Sequence, residues 1–159
     1  MKKIRVISCV ATIGIMALIF WFSSQNSADS SDVSRGFLMF IINLIPGTAD
    51  LDAGAKLELV YSMHGTIRKI AHFSIYTALG ISSAAAVWSI SGMSVKRSIL
   101  ISVPFCAMYS LTDEFHQSFV SGRSGELRDM LIDTSGALFG GLLLILAVNA
   151  VIRMKYKKR

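Results

Sequence analysis

Between two apolar runs the chain places Thr112-Asp113-Glu114-Phe115-His116-Gln117, then Gly122-Arg123, then Asp129 and Asp133. A histidine among carboxylates is the equipment of general acid–base or nucleophilic catalysis. An arginine following a glycine turn suits bidentate binding of phosphate or carboxylate oxygens. Ionisable groups at the mouth of a membrane helix are expensive to place there, so the cluster marks a functional site.

Helical spacing orients these groups. Asp129 and Asp133 are one turn apart and Gly136 and Gly140 continue their stripe, which directs both acids into the packed side of a helix. Asp113 shares a face with His116 and Gln117, so that Asp113 and His116 are expected to face a common cavity, while Glu114 lies roughly opposite. Upstream, Lys69, His72, Tyr76 and Gly80 fall near one stripe, with His72 inward. Gly80 with Ala84, like Gly136 with Gly140, is a small-residue pair that favours close helix contact.

Three chemistries fit this set. In the first, a pocket holds a lipid phosphate through Arg123 with Lys69 and Arg68 in support. His72 or His116 is then nucleophile or general acid–base, and Asp113 or Asp129 orients it. The outcome is phosphoester hydrolysis or head-group exchange, with Tyr76, Glu114, Gln117 and Asp133 contributing to binding. In the second, His116, Glu114, Asp129 and Asp133 hold a divalent metal, which is disfavoured because the scattered spacing matches no standard ligand motif. In the third, the charged groups pair to close the helix bundle or grip a lipid without chemistry.

The elements that must carry these groups are membrane helices. Of 159 residues 53% are hydrophobic and 16% charged, and the mean hydropathy is +0.57, far more apolar than a soluble domain. The expected fold is an all-α, integral membrane four-helix bundle, a single domain over residues 1–159 with spans at about 4–22, 70–90, 98–117 and 130–152. The third span is apolar only to Leu111 and must borrow Thr112 to Gln117 to reach the ~20 residues a crossing needs. After the first span, Val33 to Ile45 is too short to cross and ends at Pro46-Gly47. This suits an interfacial or re-entrant helix capped by Asp32 or Ser34. A second outer helix is expected over about 52–63, with Leu57, Val60, Tyr61 and His64 on one face.

Charge sets the orientation. Lys2, Lys3, Arg5, Lys96, Arg97, Arg153, Lys155, Lys157, Lys158 and Arg159 share one side with no acid, whereas the remaining six basic and all ten acidic residues fall on the other. The positive-inside rule then makes both termini cytoplasmic. This distribution accounts for the net charge of +6 without a nucleic-acid partner. Cys9 and Cys106 sit within spans, where thiols pack rather than react. The first apolar run is longer than a signal h-region and lacks a nearby cleavage pattern, so it is expected to remain as a span. Transport is disfavoured because no inverted repeat is visible.

The segments Phe22-Ser23-Ser24-Gln25, Arg68-Lys69-Ile70-Ala71-His72-Phe73 with Tyr76 and Leu79-Gly80, Thr112 to Val120, Gly122-Arg123, and Asp129 with Asp133 and Gly136 together resemble the VanZ-like family of bacterial membrane proteins. The resemblance implies a multi-pass protein of the bacterial cytoplasmic membrane. It also implies a distant kinship with membrane enzymes acting on phospholipid or polyprenyl-phosphate head groups, phosphatidylserine synthases among them. The family's namesake is associated with low-level teicoplanin resistance, which adds a non-catalytic alternative: binding or shielding cell-wall lipid precursors. A small transporter or scaffold subunit is a third alternative. His72, Asp113, Glu114, His116, Gln117, Arg123 and Asp129 match the family's polar positions. Ser121 stands where proline is usual, Ile75 replaces a frequent acid, and Asp133 stands where asparagine is common. Hydrogen bonding is the role that both of the last two side chains can fill.

Overall fold

The computed structural model describes residues 2–48, 51–123 and 125–157, and the side chains of these except 27–31, 33, 34 and 64. The described residues form five helices and no strand: α1 (Lys2–Ser23), α2 (Ser27–Leu44), α3 (Ala53–Ser91), α4 (Val95–Gln117) and α5 (Leu127–Lys157). Among the described residues three segments are long and apolar enough to cross a membrane, namely Lys2–Ser23, Gly65–Ser91 and Leu127–Lys157. α4 falls outside this group because its polar side chains lower its hydropathy. Ser98, Ser102, Ser110, Asp113, Glu114 and Gln117 are all buried in the protein, whereas Leu100, Met108 and Phe115 on its other side are exposed.

α3 is the central element and packs against α5, α1, α4 and α2, while α5 also packs on α4. The α3–α5 contact runs backbone to backbone along the glycine stripe. A Cβ on Gly136 would stand 2.5 Å from the Phe73 carbonyl oxygen, and one on Gly80 or Gly140 would run into the carbonyl of Ala137 or Thr77. Only residues without a side chain permit this approach. It sets the register that brings His72, just before Phe73, beside Asp133.

Side-chain hydrogen bonds to α3 and α4 help fix α1. Arg5 donates from Nε and Nη2 to the Ser89 carbonyl at 3.2 and 2.9 Å, tying the start of α1 to the end of α3. Tyr109 of α4 donates to the Met16 carbonyl at 2.6 Å. The basic residues of the α1 start, the α4 start and the α5 end thus lie away from the end where the acids gather; Lys158 and Arg159 are outside the described residues.

The outer segments differ from expectation. The second outer helix and the second span are one helix, α3, of 39 residues, about 58 Å long at 1.5 Å per residue. No proline interrupts it, and Gly65, the glycine where the two expected helices meet, costs too little to end a helix packed along its length. Asp52 caps its start, accepting from the Ala55 amide at 2.7 Å, and Gly92 ends it with a left-handed φ of 68°. α2 begins at Ser27, so Asp32 lies inside the helix and pairs with Arg35 at 2.8 Å instead of capping. The side chains of Ser34 and His64 are outside the described residues. Leu38 and Ile42 of α2 bury against Val60 of α3, forming a small core separate from that of the apolar bundle.

Candidate functional site

A cavity of about 470 Å³ opens between α1, α2, α3, the end of α4 and the α4–α5 loop. Its polar wall is made by Ser23 and Gln25, by Arg68, His72 and Tyr76 of α3, by Asp113 and Gln117 of α4, and by Arg123. Ile19, Phe22, Phe37, Ile67, Ile70 and Ile75 supply the apolar wall. The site is amphiphilic: two guanidiniums, a carboxylate and an imidazole face a chamber whose other wall is hydrocarbon.

His72 is backed by α5. Its Nδ1 lies 3.4 Å from Oδ1 of Asp133, within ion-pair distance though without hydrogen-bond alignment. Asp133 is 0% exposed, and its other oxygen accepts the Ser110 hydroxyl at 2.7 Å. The glycine stripe one turn below Asp133 delivers this geometry, because it holds α5 against α3 at that level. An aspartate on one ring nitrogen leaves the other nitrogen as the one able to act in the cavity. Tyr76, one turn along α3, is also 0% exposed, and its hydroxyl has no hydrogen-bond partner among the described residues.

Asp113 faces the cavity with its Oδ2 held by the Gln117 amide at 3.0 Å. Arg123 donates from Nη2 to the Phe22 carbonyl at 3.2 Å, at the end of α1, while its Nε is buried without a partner among the described residues. Burial, and next to it the Arg68 charge, lower the Arg123 pKa from its ordinary value, with Asp113 and Glu114 acting in the opposite direction. An arginine remains protonated through such a shift, so the two guanidiniums are like charges facing one space. Arg68 pairs with Asp129 at 3.6 Å. An anion between Arg68 and Arg123 would relieve their repulsion and fill the open Nε position.

Other residues expected in the site serve elsewhere. His116 turns away from the cavity onto α1. Its ring lies 4.8 Å from that of Phe20 and its Nδ1 is 3.2 Å from the Ser23 hydroxyl. Lys69 is exposed and does not line the cavity; Arg68, one residue earlier, does. Glu114 is buried and accepts the Glu126 amide at 2.7 Å, so it anchors the α4–α5 loop rather than facing ligand. Gly125 completes that anchor, since a Cβ there would come within 2.6 Å of the Glu114 carbonyl oxygen. Asp129 is buried in the first turn of α5 and meets the cavity only through Arg68. Among the described residues no three His, Cys, Asp or Glu side chains converge to hold a metal ion. The ligand set considered for one is dispersed: His116 packs against α1, Asp133 lies behind His72, and Glu114 turns to the loop.

Ser23, Ser110 and Gln25 were not singled out by composition or spacing. Ser110 does precede Asp113 by three residues and Gln117 by seven, one continuous helical face, so the polar stripe extended one turn back from Asp113 reaches it.

A family model described as VanZ/LLP1 matches residues 8–148, most of the chain. No curated protein and no solved structure gives a match.

Proposed function

We propose, for a chain that belongs to the VanZ/LLP1 family, a membrane protein that binds the phosphorylated head group of an amphiphilic lipid in this cavity and turns over its phosphoester. The observation that carries the proposal is the pairing of Arg68 and Arg123 in a chamber whose remaining wall is mostly hydrocarbon. Guanidiniums recognise phosphate through parallel N–H donors, and the apolar wall suits the first carbons of a chain. His72, braced by Asp133, supplies acid–base chemistry at the same cavity.

Exposed apolar side chains support a membrane setting. Val6, Ile7, Val10 and Trp21 of α1, Leu100 and Met108 of α4, and Leu131 and Leu146 of α5 are all more than half exposed, a surface that water would not tolerate at this extent. α4 crosses with the three apolar helices, its polar face turned to the protein and its apolar face to lipid. The basic ends lie in the cytoplasm by the positive-inside rule, which puts the cavity at the external face of the bacterial cytoplasmic membrane.

The test is turnover by purified protein in vesicles of defined lipids, with phospholipids in one arm and a polyprenyl phosphate in the other. Wild type is expected to release a head group or phosphate in one arm, and His72→Ala to lose that release while keeping its fold. Binding of the same lipids without turnover in either arm would reduce the protein to a lipid-binding factor, and no binding would overturn the proposal.

A further inference from the structure

Many hydroxyls along the helices turn back to their own backbone: those of Ser8, Thr12, Ser24, Ser74, Thr77 and Thr134 donate to carbonyls four residues earlier. Ser23, like Ser110 on Asp133, instead bonds across helices. Its Oγ pairs across from α1 to α4, 3.2 Å from His116 Nδ1. Ser23 is 2% exposed and lies in the cavity wall with His72 and Asp113. The His116 ring is held in place by Phe20, at 4.8 Å between centroids. A buried hydroxyl at a cavity wall with an imidazole nitrogen on it is the arrangement of an activated nucleophile.

We infer that Ser23 is the nucleophile of this site and His116 its general base, which rests on the cavity being a lipid phosphoester site. Ser23 Oγ forms a bond to phosphorus as its proton passes to His116 Nδ1. The bond from phosphorus to the leaving oxygen breaks, and that oxygen takes a proton from His72, which Asp133 holds in position. A phosphoseryl ester and a free alcohol result. Water then attacks the same phosphorus, giving a proton to His72, and Ser23 leaves with the proton returned from His116. The phosphate product departs and both histidines regain their starting states. Arg68 and Arg123 bear the charge on the phosphoryl oxygens in both steps. The same geometry explains why two histidines on different helices are present although one lines the cavity: each serves a different oxygen.

The test is covalent capture of the full chain in detergent by a long-chain alkyl fluorophosphonate, read by intact mass and peptide mapping. A single adduct on Ser23 is expected, abolished in Ser23→Ala and slowed about 100-fold in His116→Gln, in line with the usual contribution of a general base. Ser23→Cys keeps the side-chain size and should regain reaction with a thiol-directed lipid probe, which separates loss of the nucleophile from loss of fold. Absence of an adduct, or an adduct on another residue, overturns the assignment. So does full lipid turnover by Ser23→Ala with turnover still lost in His72→Ala, an outcome that leaves the lipid-phosphoester site standing.

Discussion

Asp133 Oδ1 stands 3.4 Å from His72 Nδ1, joining α5 to α3 at the floor of the cavity. Asparagine at position 133 retains a carbonyl oxygen able to accept from His72, and Ser110 can rotate to accept from its amide. Asp133→Asn is therefore expected to keep turnover within about tenfold of wild type, whereas Asp133→Leu should lose more than about 100-fold, the scale of a lost acid–base contribution. Steady-state turnover of the two variants checks this, and equal losses would mean that a negative charge rather than a hydrogen bond is required.

Removing the Ser110 hydroxyl leaves one Asp133 oxygen buried without its donor. Ser110→Ala should lower stability by about 1–3 kcal/mol, the desolvation cost of an orphaned polar group. The double variant Ser110→Ala, Asp133→Leu should lose less than the two single effects combined, because their contact is shared. Thermal unfolding in one detergent gives all the values.

Gly140 and Gly14 provide a matched pair. A Cβ at Gly140 meets the Thr77 backbone, whereas one at Gly14 meets nothing within 4 Å. Gly140→Ala is expected to destabilise by about 1–3 kcal/mol through overpacking and to impair turnover by moving Asp133 from His72. Gly14→Ala should be neutral or slightly stabilising, since alanine is the better helix former. Melting temperatures and turnover of the two variants decide it, and a tolerated Gly140→Ala would contradict the backbone contact as the element that positions the site.

Glu114 holds the loop that carries Arg123, through the Glu126 amide. Glu114→Ala should weaken lipid binding by releasing Arg123, with the loop becoming the first site cut in limited proteolysis. Unchanged affinity together with a protected loop would show that the anchor is dispensable.

Much of the site was legible from helical arithmetic because it lies on stripes. Asp129, Asp133, Gly136 and Gly140 recur at three- and four-residue steps, and their burial follows from that period. His72 with Tyr76 follows in the same way. Spacing has little power over neighbours that lie 100° apart: Lys69 and Arg68 both sit within one turn of His72, yet only Arg68 reaches the cavity. It also cannot say which neighbouring helix takes a side chain at the edge of a face. Asp113 and His116 share such a face, but contacts with Phe20 and Ser23 draw the histidine to α1. Serine carries the weakest signal, since one hydroxyl can bond its own helix or another, and tertiary packing alone decided for Ser23. The continuity of α3 was hidden for a different reason: a more polar first part and an apolar second part read as two helices, although nothing in the backbone joining them breaks the helix.

Recognition of a phosphate by Arg68 and Arg123 is the claim on which the rest depends, and native mass spectrometry of the purified chain tests it most directly. Equal amounts of phosphatidylglycerol and diacylglycerol with the same acyl chains compete for one cavity. Wild type should retain phosphatidylglycerol in at least about tenfold preference, since hydrogen bonds to a charged group contribute roughly 1.5–3 kcal/mol, and the double variant Arg68→Ala, Arg123→Ala should retain the two equally. Equal retention by wild type, or a preference that survives in the double variant, would contradict a phosphate site between these two arginines.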